Sequence, residues 1–260
     1  RFRREHECEF LIFDETLINS IHLADMEGIA PVETTGQVRW FKKPTPGMTY
    51  MVSLDPAMGT GGDFAAIQVF ELPTFEQVGE WHHNQTPMNQ QIRILQGINK
   101  HLYDSIMEQD ASATPQIFYS MENNTIGEAA LLRVMDIGEE NIQGMFLSEP
   151  IRKGHRRKFR RGFNTTAKFK IDACTKFKEL IEGGKMKINS QLLISELKDF
   201  VASGLSFKAK PGQHDDLVSA CLLMTRMMKV LADFDPKIFE KWTDRTSELT
   251  PMPIFGSFTG

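Results

Sequence analysis

Short apolar runs that end in carboxylates constrain this chain more than any other feature. Met48–Leu54 is a β-rich run closed by Asp55-Pro56, and Gln116–Met121 is another closed by Glu122-Asn123-Asn124. Asp215-Asp216 follows Gly212-Gln213-His214 and opens an apolar helical run. A charge in the middle of a buried strand is costly unless it is paired, so these acids read as residues at the ends of elements. A fold that gathers such ends sets carboxylates from distant segments side by side. Mg²⁺ and Mn²⁺ prefer oxygen ligands of this kind, and the chemistry that follows is metal-dependent phosphodiester cleavage.

The pattern between the acids predicts a mixed α/β domain. Met48–Leu54, Ala65–Glu71 and Gln77–His83 read as three strands of an antiparallel meander, with a tight Gly59-Thr60-Gly61-Gly62-Asp63 turn after the first. Thr86-Pro87 reads as a helix start with Thr86 as N-cap, and Ile92, Leu95, Ile98 and Leu102 recur at helical spacing to Tyr103. Gln116–Met121 is a fourth strand, 126–135 a helix and 144–147 a short fifth strand. Thr165 or Thr166 then caps a helix that buries Phe169, Ala173, Phe177, Leu180 and Ile181 and stops at Gly183-Gly184. Lys185–Ile188 is a brief extended piece, 190–203 a helix, and Asp215 to Leu231 the last helix. Three antiparallel strands followed by strands alternating with helices give a mixed sheet covered by helices, the ribonuclease H-like order of elements. Residues 1–47, ending in a Pro/Gly cluster, read as a lead-in or linker, 48–232 as the domain and 233–260 as a tail.

Each acid also has an ordinary explanation. Asp55 fits an Asp-Pro turn, Glu122 a loop at the solvent edge, and Asp215-Asp216 helix caps favoured by the dipole. These explanations are independent, whereas a metal site accounts for all the positions together. In two-metal catalysis Asp55 would bridge both ions, Glu122 would bind one, and Asp215 or Asp216 the other. Asp63 is a further candidate ligand or simply a hairpin residue, and His214 a water- or phosphate-orienting group or a surface histidine.

The formal net charge is −4, yet Arg152, Lys153, Arg156, Arg157, Lys158, Arg160, Arg161, Lys168 and Lys170 occur with no acid among them. His155, Phe159 and Phe163 are interleaved. This segment lies between the second and third acidic motifs and reads as an electrostatic footprint for double-stranded DNA, positioning the duplex through its phosphates.

Other classes are excluded or weakened. No apolar run approaches a membrane span. Cys8, Cys174 and Cys221 are too far apart for a zinc cluster or a disulfide framework and suit a reducing compartment. Phe10–Glu15 has the look of a nucleotide-hydrolysis strand, but no G-x-x-x-x-G-K-[ST] loop accompanies it.

Ser53-Leu54-Asp55-Pro56, the Gly-x-Gly-Gly-Asp turn at 59–63, Glu122-Asn123-Asn124-x-x-Gly127 and Gly212–Val218 together resemble the C-terminal nuclease domain of the large terminase subunit of tailed bacteriophages. The resemblance covers about residues 40–232. It implies a ribonuclease H-like endonuclease that cuts concatemeric viral DNA during genome packaging with Mg²⁺ or Mn²⁺. By resemblance, Asp55, Glu122 and Asp215 match the family's acidic triad, with Asp63 and Asp216 accessory. The implied partners are double-stranded DNA, the portal protein, the small terminase subunit and an ATPase domain of the same protein. The lead-in resembles the segment that joins that ATPase to its nuclease, so the chain is expected to be a piece of a longer protein. The implied setting is the host cytoplasm, transiently on the prohead portal. Two other readings stand beside it: a Holliday-junction resolvase or transposase-like nuclease, which would cut junctions as a dimer, and a non-catalytic DNA- or portal-binding module, whose acids would be dispensable.

Overall fold

The computed structural model describes residues 15–150 and 161–234. Strand β3 (Thr49–Asp55) forms its centre, buried at every position up to Leu54. β4 (Ala65–Leu72) and β5 (Glu76–His83) pair antiparallel on one side of it, as the meander predicts. β6 (Gln116–Met121) pairs parallel on the other side, followed by the two-residue β7 (Met145–Phe146). Beyond β5 lie β2 (Val38–Trp40) and β1 (Glu33–Thr35), giving one seven-stranded sheet in the order β1-β2-β5-β4-β3-β6-β7.

Side chains alternate across a strand, and β3 uses both faces. Tyr50, Val52 and Leu54 pack under α2 (Met88–Gln109) and α3 (Thr125–Ile137). Met51 faces the opposite layer, made of α1 (Ser20–Asp25), α4 (Ala167–Glu182), α5 (Gln191–Asp199) and α6 (Asp216–Phe234). Ser53, on that same face, donates its hydroxyl to the Ala220 carbonyl at 2.7 Å, so the polar group is satisfied where α6 crosses the sheet. The register settles the functional geometry. Leu54 lies opposite Met121 in the parallel pair, so Asp55 and Glu122 emerge side by side at the same end.

Several expectations change. Thr86 is not a cap; its hydroxyl pairs with His83 Nδ1 at 2.7 Å, Pro87 holds the N-cap position, and α2 runs six residues beyond Tyr103. The helix expected over 190–203 ends at Asp199, because Phe200–Ser203 (β8) turns at Gly204-Leu205 to pair with Ser206–Ala209 (β9). Thr166 rather than Thr165 caps α4, accepting from Phe169 N, and Phe169 itself is only half-buried. The stretch expected as a lead-in is also integral in its described part. β1 and β2 extend the sheet, and Leu17, Ile18 and Leu23 are buried in the core beneath α5 and α6. The nucleotide-hydrolysis-like strand, apart from Glu15, and the tail from 235 onward lie outside the described residues.

Candidate active site

At the carboxyl end of β3 and β6 the backbone locks the first two acids together. Glu122 N–H donates to the Leu54 carbonyl at 3.1 Å, continuing the parallel ladder one residue past the strand. The residues after Glu122 then explain its motif. Asn123 N–H donates to the Phe163 carbonyl at 2.7 Å, and its side-chain amide to the Arg161 carbonyl at 2.7 Å. Asn124 caps α3 by accepting from Gly127 N at 2.8 Å and donates to Glu122 Oε2 at 3.0 Å. A Cβ on Gly127 would sit 1.8 Å from the Glu122 carbonyl oxygen, so only glycine lets α3 start this close to the acid.

The third motif approaches from the other side of the sheet. Asp215 stands at the N-cap of α6, its carbonyl accepting from Ser219 N at 2.8 Å. Its carboxylate turns away from its own helix, accepting from Ala209 N at 3.3 Å and pairing with Lys170 at 3.8 Å. The Asp216 carboxylate accepts from the Phe64 N–H, one residue past Asp63, while its Oδ2 is buried with no hydrogen-bond partner and lies 3.5 Å from His214 Nδ1. Asp63 is exposed on the glycine turn and acts on Asp216 through its charge. The turn needs Gly59, which has φ +72° and where a Cβ would lie 2.3 Å from the Thr86 carbonyl oxygen.

The electrostatics are those of like charges held together. Burial raises the Asp55 carboxyl well above the usual carboxylate range; the charge of Glu122, a hydrogen bond with it, and the charges of Asp216 and Asp215 push the same way. Asp216 is pushed up to about 6, chiefly by burial and partly by Asp215, against the Phe64 hydrogen bond and His214. Among the described residues no three Asp, Glu, His or Cys side chains already form a metal cage. The donor set nevertheless fits a hard divalent cation: the acids offer only oxygen, they repel one another, and Asp216 leaves a buried oxygen unpaired.

A family model, the terminase RNase H-like domain, matches residues 52–227, a span that contains every one of these acids. The chain belongs to that family. In fold, this terminase domain is similar to the large terminase nuclease of thermophilic phage G20c with bound magnesium, at TM-score 0.59 and 15% identity over 82% of this chain and 97% of that one. The cobalt-bound form of that nuclease gives the same values. The Thermus phage P74-26 large terminase nuclease domain matches at TM-score 0.55 and 17% identity, over 79% of this chain and 94% of that one.

Within the terminase domain Asp55 and Glu122 line a cleft of about 190 Å³ with Thr165, Lys170, Ala173, Ser219 and Arg226. Lys170 and Arg226 give one wall of an acidic cleft a positive character. Arg226 is nearly buried: it pairs with Glu149, donates to the Asn164 carbonyl at 3.0 Å and stacks over Phe163 and Phe169. The sequence alone does not single it out, because it is one of a few charges, with Lys229 three residues on, along a mostly apolar helix with no motif around it. Of the proposed DNA contacts, Arg152, Lys153, Arg156, Arg157, Lys158 and Arg160 lie outside the described residues, as do His155 and Phe159. Arg161 is described and is held locally, paired with Glu139 and lying over the Phe146 ring at 5.4 Å. Phe163 is buried in the core rather than displayed for a ligand. The flanks of the basic segment are pinned together beside the cleft, Glu149 N–H donating to the Gly162 carbonyl at 3.2 Å. Among the described residues no helix is long and apolar enough to cross a membrane.

Proposed function

We propose that this terminase domain is a metal-dependent endonuclease that cuts concatemeric viral double-stranded DNA during genome packaging. The observation that carries the reading is the pairing of Asp55 with Glu122 at the ends of two parallel strands, with the start of α6 bringing Asp215 and Asp216 toward them. Asp55, Glu122 and Asp216 would hold two Mg²⁺ or Mn²⁺ ions. Asp216 is favoured over Asp215 as the third ligand because its Oδ2 is buried without a hydrogen bond, faced by His214 Nδ1 at 3.5 Å, whereas Oδ2 of Asp215 is engaged by both Ala209 N and Lys170. Asp63 remains an outer, exposed acid. When bound, the ions supply Lewis-acid activation of the scissile phosphate and of the attacking water.

The chain's own groups prepare that chemistry. Asp55 stands buried beside Glu122, and burial together with the Glu122 charge raises its carboxyl, so cations binding there compete with protons. Lys170, which lines the cleft and pairs loosely with Asp215 at 3.8 Å, can offer its ammonium to a phosphate oxygen. The basic segment, Arg152 to Lys158 with Arg160, would run the duplex past the acids by backbone contact. In the cell the domain would act in the host cytoplasm, docked on the portal ring with the small terminase subunit and an ATPase domain.

Incubation of supercoiled plasmid with the protein in EDTA, Mg²⁺ or Mn²⁺ tests the reading. Wild type should nick and linearise the plasmid only with metal, and folded Asp55→Ala should do neither. Cleavage by the folded variant at the wild-type rate would remove Asp55 from the site.

A further inference from the structure

The start of α6 is capped in an unusual way. The first amides of a helix have no partner within it, and an N-cap Asp ordinarily accepts from the second or third of them. Those amides here belong to Leu217 and Val218, yet the Asp215 carboxylate takes neither and bonds Ala209 N instead. Their acceptor comes from a different helix. Glu196 on α5 accepts from Val218 N at 3.1 Å and also from Leu217 N. It is nearly buried, its side chain 10% exposed, and its other oxygen lies 3.7 Å from His82 Nε2. The His82 ring stacks on Phe64 with centroids 4.1 Å apart, and Phe64 N–H holds the Asp216 carboxylate.

We propose that Glu196 is a positioning residue that substitutes for Asp215 as the cap of α6, releasing Asp215 toward Lys170 and fixing Asp216 toward the cation site. The inference rests on the metal-site reading above for its consequence, though not for the capping itself. An ordinary buried glutamate would merely be satisfied by the amides it meets. The difference lies in what Asp215 does: with Glu196 in place it makes no capping bond, and without Glu196 it holds the position from which an N-cap Asp accepts from the two amides.

The metal-free protein gives the first test, by melting temperature in a double-mutant cycle. Asp215→Ala should change Tm little, because it removes a repelling charge and no cap, at the cost of the long Ala209 hydrogen bond and the partly exposed Lys170 pair. In a Glu196→Met background, which keeps side-chain bulk without a good acceptor, the same Asp215→Ala change should lower Tm by about 2–4 °C, the size of a missing cap. Additive changes would overturn the proposal. If Glu196→Met does not fold, Glu196→Asp, which withdraws the carboxylate by one methylene, replaces it in the cycle with the same expectation.

Mn²⁺ titration and plasmid kinetics give the second test. Glu196→Met should weaken Mn²⁺ binding about 10-fold or more and lower kcat while leaving KM for DNA unchanged. Glu196→Gln, which retains an amide oxygen for the two N–H groups, should restore both toward wild type. Wild-type metal affinity in Glu196→Met, or failure of Gln to rescue, would refute the positioning role. A wild-type protein that binds no Mn²⁺ would instead refute the nuclease reading, and the metal-free coupling would still decide the cap.

Discussion

Two acidic sites on the same sheet differ in how they are completed. Glu80, in the middle of β5, is fully buried, and burial raises its carboxyl. It is nonetheless closed on all sides: Arg39 at 2.8 Å, Ser190 Oγ at 2.5 Å, and the side-chain amides of Gln68 at 3.2 Å and Gln77 at 3.3 Å all donate to it. Asp55 and its neighbours at the end of β3 crowd carboxylates against one another, with fewer donors than acids: Asn124 reaches Glu122, Ala209 and Lys170 reach Asp215, and Asp216 keeps one buried oxygen without a hydrogen bond. Burial penalises both, so burial alone does not mark function. The mark is whether the protein supplies the partners itself. Glu80 is an acid the fold has finished, and the Asp55 cluster is one left for something else to finish.

Mutation should separate the two most widely. Glu122→Gln should reduce cleavage about 10³-fold, the upper range for removing a group that meets developing charge, while Tm stays level or rises. Glu80→Ala should do the reverse. It strands Arg39 and the two glutamines and should cost about 3 kcal/mol, readable by urea denaturation, with the rate per folded molecule unchanged. A Glu80→Ala protein as stable as wild type would erase the distinction.

Two smaller effects sharpen it. Replacing Arg156, Arg157 and Arg160 together with Ala should flatten the dependence of DNA affinity on salt, by about 0.9 in log–log slope for each phosphate that is no longer neutralised. Arg161→Ala should leave that slope alone, since Arg161 is already paired with Glu139. Fluorescence anisotropy over a salt series distinguishes them. The smallest effect is on pH. Protons compete with metal for Asp216, whose carboxyl is raised to about 6. Mn²⁺ affinity should therefore fall as pH drops through about 6, where a site whose acids were already ionised at about pH 5 would stay level.

The sequence made the central strands and their acids legible because there the chemistry is local. β3 and β6 are apolar runs with a charge at the end, and the Asn and Gly after Glu122 are the residues a tight helix start needs. It hid what depends on partners far along the chain. β1 and β2 have three residues each, too short for periodicity, and exist by pairing with β5. Phe200-Val201-Ala202 continues the apolar rhythm of α5, so the hairpin looked like more helix; Gly204, at φ +60°, was the available signal. Glu196 and Arg226 carry no motif, and their contacts appear only when α5, α6 and the loop before α4 pack together. The Asp215-Asp216 pair is equally ambiguous in the sequence, because the groups that engage the two carboxylates, Ala209, Lys170 and Phe64, stand on other elements.

Differential scanning calorimetry of wild type and Asp55→Asn, each in EDTA and in millimolar Mg²⁺, tests the central claim most directly. The account predicts that Mg²⁺ raises the wild-type Tm by linkage, that Asp55→Asn melts higher than wild type in EDTA because a repelled charge is gone, and that Mg²⁺ adds nothing to the variant. An Asp55→Asn protein that melts lower than wild type in EDTA, with a wild type indifferent to Mg²⁺, would mean that Asp55 is a finished structural acid like Glu80.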